Sequence, residues 1–498
     1  MKKLQKHIFK ITTVLVFSLL TVSCDDYLSE LPDNRAEINS PEKISALITG
    51  AYSQGNYQLI AEIMSDNATS RSNIRSYINV LLHEQMFTWD ISLDENQDSP
   101  TFFWSNSYEA ISQANQALSS IKKLEGQFNL DAQKGEALLA RAYAHFMLVT
   151  FWGKQYNPSS ANSDLGVPYI LDPETELIKP YKRNTVQEVY DLIEKDLLEG
   201  LNLIQNREKN PKYHFSKESG AAFATRFYLQ KGDWDKVIFY SNQILTNPRL
   251  QIRDVVEYSN LSYSQQTLQY SNSLEDANLL LNSTSSWWAR NFWRTNYGLS
   301  FLNTEEIFQQ DNPFNKNWAY GIFGSNEASN VPKFDEYFKI TNQSAGTGRG
   351  YTNSVLFGFD EVLLNRAEAY TMKEDYTNAI KDLTDFLSKK TENFNPSTDI
   401  LTEDMIVSLF PVTTGRLTPF YGFISDKQNS FINAILKFRQ KEFYHEGMRW
   451  FDVKRFNIAI KRYYRKEDKE IELTKEDLRK QLQIPESAIN FGITPNPR

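Results

Sequence analysis

Apolar and small residues recur at three- and four-residue steps through most of this chain, the pattern of helices that bury one face. From Phe102 to Leu124, the residues Trp104, Tyr108, Ile111, Asn115 and Leu118 fall on one stripe. From Ala132 to Phe151, so do Ala137, Ala140, Arg141, Ala144, Leu148 and Phe151. Small alanines let another helix approach closely, so these two segments are expected to form an antiparallel hairpin. An earlier helix is expected from Pro41 to about Tyr57, with Pro41 in its first turn and Ser40 as N-cap. A further helix should run from Thr185 to about Leu203, because Thr185 and Glu188 have the spacing of a capping box. Between these, Gly153 to Pro180 holds four prolines and reads as loop.

A repeat follows. Thr225, Tyr228, Lys231, Asp233, Trp234, Val237 and Leu245 match Ala367, Tyr370, Lys373, Asp375, Tyr376, Ala379 and Leu387 at a constant offset of 142. Each copy reads as helix, turn, helix, with the turn at Lys-Gly-Asp-Trp or Lys-Glu-Asp-Tyr. The spacing resembles a tetratricopeptide unit, in which small residues at the crossing let paired helices share a core with their neighbours. With two looser pairs, it favours a mostly α, helical-repeat scaffold.

Residues 247–355 break this pattern. They are rich in Asn, Ser, Gly and aromatic residues, with Leu279 to Leu281 as a possible short strand and Ser344 to Gly350 as a Gly-rich loop. Long irregular insertions are usually functional or disordered, and the tryptophans argue against disorder. Helical patterning returns from about Phe431 to Lys461. The charged stretch Lys466 to Lys480 reads as a solvated helix or loop, and Ile493 to Arg498 as a Pro-rich tail.

The N-terminus has its own logic. Lys2, Lys3, Lys6 and Lys10 precede an apolar run, Ile11 to Leu20, and then small residues lead to Cys24, the single cysteine. This is the layout of a secretory signal peptide, residues 1–23. The run is short of the ~20 residues that span a bilayer. Cys24 is either incidental or a lipid attachment site, and Thr21-Val22-Ser23-Cys24 resembles a bacterial lipobox, with Thr21 where Leu is commonest. Acylation there would anchor the chain, at ~0.8 kcal/mol per buried CH₂. Asp25 and Asp26 resemble the surface-export signal of Bacteroidota lipoproteins; in an enterobacterium they would indicate inner-membrane retention. Residues 25–43 read as a polar tether.

Cleavage before Cys24 removes four lysines and shifts the formal charge from −8 to −12. An acidic chain argues against a nucleic-acid partner. Its length alone would allow roughly three domains. Most of the 26 Tyr, 32 Phe and 9 Trp are expected in the core, because rings bury the most apolar area per residue, and the surplus leaves room for an aromatic binding surface.

Several stretches together resemble one family. They are Trp104-x-x-x-Tyr108-x-x-Ile111-x-x-Ala114-Asn115, Asp164-Leu165-Gly166-Val167-Pro168, Arg183-x-Thr185-Val186-x-Glu188-Val189-Tyr190 and Glu361 to Ala369. The most specific is Arg439-x-Lys441-Glu442-x-x-x-Glu446-Gly447-x-Arg449-Trp450-Phe451-Asp452-Val453-Lys454-Arg455. The chain from Cys24 onward is similar to the SusD/RagB nutrient-binding outer-membrane lipoproteins. That resemblance implies one SusD-like domain over 24–498, with four tetratricopeptide-like helix pairs and a ligand-binding irregular part. It also implies a SusC-like TonB-dependent transporter as partner, a glycan or in some members a peptide as ligand, no cofactor and no catalysis. Arg439, Glu442, Glu446, Arg449 and Asp452 recur at three- and four-residue steps, so they are expected to pair along one helix and hold the fold.

Sugars present apolar C–H faces and many hydroxyls, so their sites combine flat rings with Asn, Asp and Arg. Trp287, Trp288, Trp293, Arg294 and Tyr297, with Trp318 and Tyr320, supply both in the insertion; the competing reading is a satellite core beneath a long loop. Asp66, Asn67, Arg71 and Trp89 form a second candidate group, since ligand contacts in the family come both from loops before the first hairpin and from the insertion.

Other chemistry is weakly supported. Asp94-x-Asn96-x-Asp98 starts like an EF-hand loop but has Ser99 and Ser105 where Gly and Glu are required; a looser calcium site stays open. His445-Glu446 lacks the second His of a zinc-protease helix. Gly346-x-Gly348-x-Gly350 lacks the spacing and context of a dinucleotide loop. A surface glycosidase and a protein-docking repeat scaffold remain as alternatives to a nutrient-binding lipoprotein.

Overall fold

Helix α1 (Pro41–Ile48) is shorter than the apolar pattern implied. It tightens into a 3₁₀ turn, Thr49–Ala51, and Tyr52 is already extended at φ −108°, ψ 124°. The next helix, α2 (Gln58–Met64), is buried at every residue. The computed structural model describes residues 38–72, 80–174, 179–207, 209–325 and 328–498, so the leader and Cys24 lie outside the described residues.

The first hairpin follows its sequence pattern closely. Ser99 accepts the N–H of Phe102 and Pro100 fills the first turn of α3 (Pro100–Lys123). Helix α4 (Asp131–Trp152) packs against it, and then against α5 (Val186–Leu203). The capping box of α5 is formed: Glu188 donates its N–H to Thr185 Oγ1 and its carboxylate accepts the N–H of Thr185 at 2.9 Å. Gly200 and Gly135 let α4 and α5 touch; a Cβ on Gly200 would lie 2.8 Å from Leu139 Cγ.

The repeat becomes two helical hairpins, α6 (Lys217–Lys231) with α7 (Trp234–Ile244), and, after the insertion, α10 (Phe359–Met372) with α11 (Tyr376–Ser388). Asp233 and Asp375 cap the second helix of each, accepting the N–H of Lys236 and of Asn378. The hairpins meet through α7 and α10, and Asn365 Nδ2 donates to Thr225 Oγ1 across the interface. Stacked helices thus run from α3 to α11, and Pro41–Arg498 form one compact unit.

Within the insertion lie α8 (Tyr263–Tyr270), strand β1 (Asn278–Ser285), α9 (Trp288–Arg294), and strands β2 (Glu336–Asn342) and β3 (Thr347–Gly358). The strands form an antiparallel sheet of order β1-β3-β2. The expected loop over Ser344 to Gly350 is therefore mostly strand. Gly348 permits it, since a Cβ there would sit 2.1 Å from Lys339 O.

Two expectations near the C-terminus are corrected. The helical stretch is broken: α12 (Asp426–Glu442) and α13 (Met448–Arg455) are separated by His445 (φ 72°) and Gly447 (φ 75°). A Cβ on Gly447 would lie 2.8 Å from Ala61 Cβ, so the break seats α2. Arg439, Glu442, Glu446, Arg449 and Asp452 consequently do not pair with one another along one helix; within α13 Asp452 meets Arg455, three residues on, at 3.0 Å. Arg439 pairs with Asp452 at 3.0 Å, Glu442 with Lys390 at 2.9 Å, Glu446 with Lys333 at 2.6 Å and Arg449 with Asp66 at 2.7 Å. Arg439–Asp452 ties α12 to α13, and the other three bridges tie the C-terminal region to Lys390, Lys333 and Asp66, which is a fold-holding role of longer range. The Lys466 to Lys480 stretch contributes a strand, β5 (Lys469–Leu473), paired with β4 (Ile460–Tyr464).

Tyr57, Phe103, Phe151 and Phe451 pack ring to ring, with centroids 5.7 to 6.3 Å apart, where α2, the first hairpin and α13 converge. Among the described residues no helix is long and apolar enough to cross a membrane.

Candidate functional site

Asp98 places the insertion against the loop that leads into α3. Its backbone is left-handed (φ 67°), its side chain is buried, and its carboxylate accepts the N–H of Trp287 at 2.8 Å and the hydroxyl of Ser286. Burial pushes this carboxyl up to about 7. Gln97 adds a bond to Ser285 Oγ at 2.6 Å. The start of α9 is thereby held by residues about 190 positions earlier.

On α9 the side chains divide by helical period. Trp288, Asn291 and Phe292 face inward, whereas Ala289, Arg290, Trp293 and Arg294 are half-buried or exposed. Ser262 and Gln265 form a capping box on α8, and Tyr263, its first residue, meets Trp293 with ring centroids 5.6 Å apart at 55°. The Tyr263 hydroxyl accepts Trp293 Nε1–H at 3.2 Å and Asn330 Nδ2–H at 2.8 Å, which leaves its own proton to donate. The two rings form a corner of an open cleft of about 360 Å³, which Thr267, Leu268, Asp335 and Glu336 also line. At its rim Arg290 Nε donates to Glu336 Oε2 at 2.6 Å, a bond that holds the guanidinium further above its ordinary range. Flat apolar faces, hydroxyls and carboxylates thus converge, the set that a sugar ring needs for stacking and hydroxyl bonding.

The other sequence candidates in the insertion sit elsewhere. Trp287 is half-buried against Gly350, where a Cβ would be 3.2 Å from its Cδ1. Trp288 is fully buried and donates Nε1–H to His445 O. Tyr297 stacks on Phe87 at 4.3 Å. Trp318 is buried and bonds Gln310 O, and Tyr320 donates to Glu442 at 2.7 Å. For Trp288, Tyr297 and Trp318 the satellite-core reading describes their environment.

The second candidate group is a set of braces. Arg71, 4% exposed, donates to four backbone carbonyls, those of Phe292, Thr295, Leu299 and Ser329. Asn67 is buried and bonds Glu62, Gln440, Tyr444 and Asn303. Trp89 is covered by the guanidinium of Arg462 at 4.1 Å, and Asp66 accepts from Nε and Nη2 of Arg449. Polar residues before the first hairpin were read as ligand contacts, but Asn67 and Arg71 are buried and bonded within the chain, and Asp66, its side chain 29% exposed, is ion-paired with Arg449.

Sequence reasoning missed Tyr263, Arg290 and Glu336. The capping box at Ser262 marks a helix start, but nothing in the sequence brings Tyr263 to Trp293, thirty residues on. Among the described residues no group of three or more His, Cys, Asp or Glu side chains could hold a metal ion, and Asp98 is engaged as described.

Two family models match consecutive parts of the chain. One, described as starch-binding proteins associating with the outer membrane, covers residues 26–229, and the SusD family model covers residues 249–489. The chain belongs to the SusD/RagB family. Within that family it is 20% identical to SusD-like protein P2 of Formosa agariphila over 502 residues, covering 90% of each chain. SusD-like protein P38 of the same organism is 25% identical over 410 residues, 72% of each. The fold matches a SusD superfamily protein of Bacteroides thetaiotaomicron with TM-score 0.66 at 20% identity, covering 92% of this chain and all of that one. A SusD-like carbohydrate-binding protein of Bacteroides vulgatus matches with TM-score 0.62 at 16% identity, covering 91% and 96%. The helical stack and the irregular insertion are thus those of a SusD/RagB protein.

Proposed function

We propose that this protein is a cell-surface lipoprotein that binds an oligosaccharide or polysaccharide and delivers it to a SusC-like TonB-dependent outer-membrane transporter, without chemistry of its own. In this reading residues 1–23 are removed, Cys24 carries the lipid and residues 24–498 form the binding body. The observation that carries it is the Trp293–Tyr263 corner, a ring-lined and hydroxyl-bearing cleft on an insertion that is otherwise locked to the scaffold. Trp287, half-buried one residue ahead of α9, extends the ring-bearing face. The carbohydrate-binding relative from Bacteroides vulgatus supports a glycan over a peptide.

The test has two parts. Detergent extraction of the native outer membrane should recover the protein acylated at Cys24 together with a large β-barrel. Calorimetry against a panel of glycans and peptides should give heat with a glycan that is recovered unchanged. Recovery without acyl groups, cleavage of the glycan, or heat from peptides alone would each refute the corresponding part.

A further inference from the structure

A second cavity, of about 330 Å³, opens where the end of α4 meets the last part of the chain. At ~30 Å³ per water it has room for roughly ten, enough for one sugar residue. Its charged lining is unevenly paired. Asp164 accepts Lys154 Nζ at 2.6 Å, Asp477 accepts Arg479 at 2.7 Å, and Glu476 accepts Asn457 Nδ2 at 2.5 Å. Arg455 is held by Glu368 and Asp452. Lys454 and Lys480 differ: among the described residues neither has a carboxylate at ion-pair distance. Both ammonium groups are nonetheless largely buried, with the residues 5% and 7% exposed.

Lys454 donates to Thr150 O and, at 2.8 Å, to Gly153 O, carbonyls at the end of α4. An ammonium has three protons, so one stays free. Lys480 donates to Asn457 Oδ1 at 2.9 Å, leaving two. Burial, and then the charge of Lys480, push Lys454 down to about 7, and burial pushes Lys480 down to about 8 against the opposing pull of the Glu476 and Asp477 carboxylates. Two buried cations that repel each other and line one cavity are relieved by an anion placed between them. Tyr156 and Phe420, with centroids 6.2 Å apart, add an apolar wall.

We propose that this cavity binds a small anionic group, a carboxylate or sulfate, between the ammonium groups of Lys454 and Lys480. The group is carried by an acidic sugar or arrives as a free anion. The site is separate from the Trp293 cleft and does not depend on it.

The test is calorimetry of the full protein with sodium glucuronate, sodium sulfate and glucose. Heat is expected from at least one anion and none from glucose. Lys480→Gln should weaken anion binding at least about tenfold, because a charge-assisted bond is lost, whereas Lys480→Arg should retain it and Trp293→Ala should leave it unchanged. Tighter binding of glucuronate than of sulfate assigns an acidic sugar; sulfate binding as tightly or tighter assigns a free anion. No heat from either anion, or equal affinity in Lys480→Gln, would overturn the proposal. Lys480 is the variant of choice because Lys454 also holds the end of α4, and Lys480→Arg guards against a fold defect.

Discussion

The carboxylate of Asp98 accepts the backbone N–H of Trp287 at 2.8 Å and so fixes the start of the helix that carries Trp293. Burial has raised this carboxyl to about 7, and Glu62, also buried, to about 7. In the unfolded chain both titrate near 4. The folded protein therefore holds protons that the unfolded chain has released, and the associated stability is fully present below about pH 4 and is lost as the pH rises through about 7. Buried His83 and His145, pushed down to about 3, titrate in the opposite sense over this range, so the carboxyl contribution is read against a variant, as a fall in thermal midpoint from pH 5 to pH 8 relative to it. Asp98→Asn, which keeps the shape without the charge, is that variant, and the wild-type protein should lose roughly a few kcal/mol relative to it. Parallel curves for the two proteins would show that Asp98 is not its source.

Arg71 offers a separation of stability from binding. Its guanidinium satisfies carbonyls of Phe292, Thr295, Leu299 and Ser329, and Gly298 leaves it room, since a Cβ there would be 2.8 Å from Nη2. Arg71→Met should strand these groups at roughly 1–3 kcal/mol apiece, and urea unfolding should register a loss of at least about 3 kcal/mol. Unchanged stability with lost ligand affinity would instead make Arg71 a ligand contact.

The two hairpin turns carry a matched pair of substitutions. Gly232 and Glu374 sit at the offset of 142 and are both left-handed, at φ 71° and 58°. Gly232→Ala should cost about 1 kcal/mol, with its Cβ also pressed 3.3 Å from Phe420 and Tyr421. Glu374→Gly should relieve ~1–2 kcal/mol of strain against ~0.5–1 kcal/mol of added chain entropy, a small net gain. Denaturant midpoints moving in the same direction for both would contradict this.

Arg226 and Glu361 join α6 to α10 through two bonds of 2.6 Å, both residues being buried. Glu361→Gln leaves the guanidinium without its counter-charge. It should lower unfolding free energy by roughly 3–5 kcal/mol, whereas breaking a solvent-exposed pair such as Lys461–Glu470 should have a far smaller effect. Comparable effects from the two pairs would argue against the buried bridge as a fold-holding contact.

What could be read from sequence was local. The Thr185–Glu188 box and the paired turns depend on residues a few positions apart, and they form as expected. The break in the C-terminal motif had a signal, Gly447 directly after Glu446, but periodicity on either side concealed it. The Gly-rich strand β3 was hidden because its glycines serve close backbone approach to β2. The site was only partly visible. Trp293 lay in the aromatic cluster, yet which rings face outward depends on a seven-residue helix whose inner face packs on His445. Its partner Tyr263 is brought in by tertiary packing that no spacing encodes.

The most direct test of the central claim is the affinity of Trp293→Ala and Tyr263→Ala for whichever glycan the wild-type protein binds, measured by calorimetry on proteins with unchanged melting profiles. Loss of one stacked ring should weaken binding by about 1–3 kcal/mol, by analogy with base stacking on aromatic side chains, while Trp288 and Trp318, being core residues, serve as stability controls. Full affinity in both variants would contradict the account.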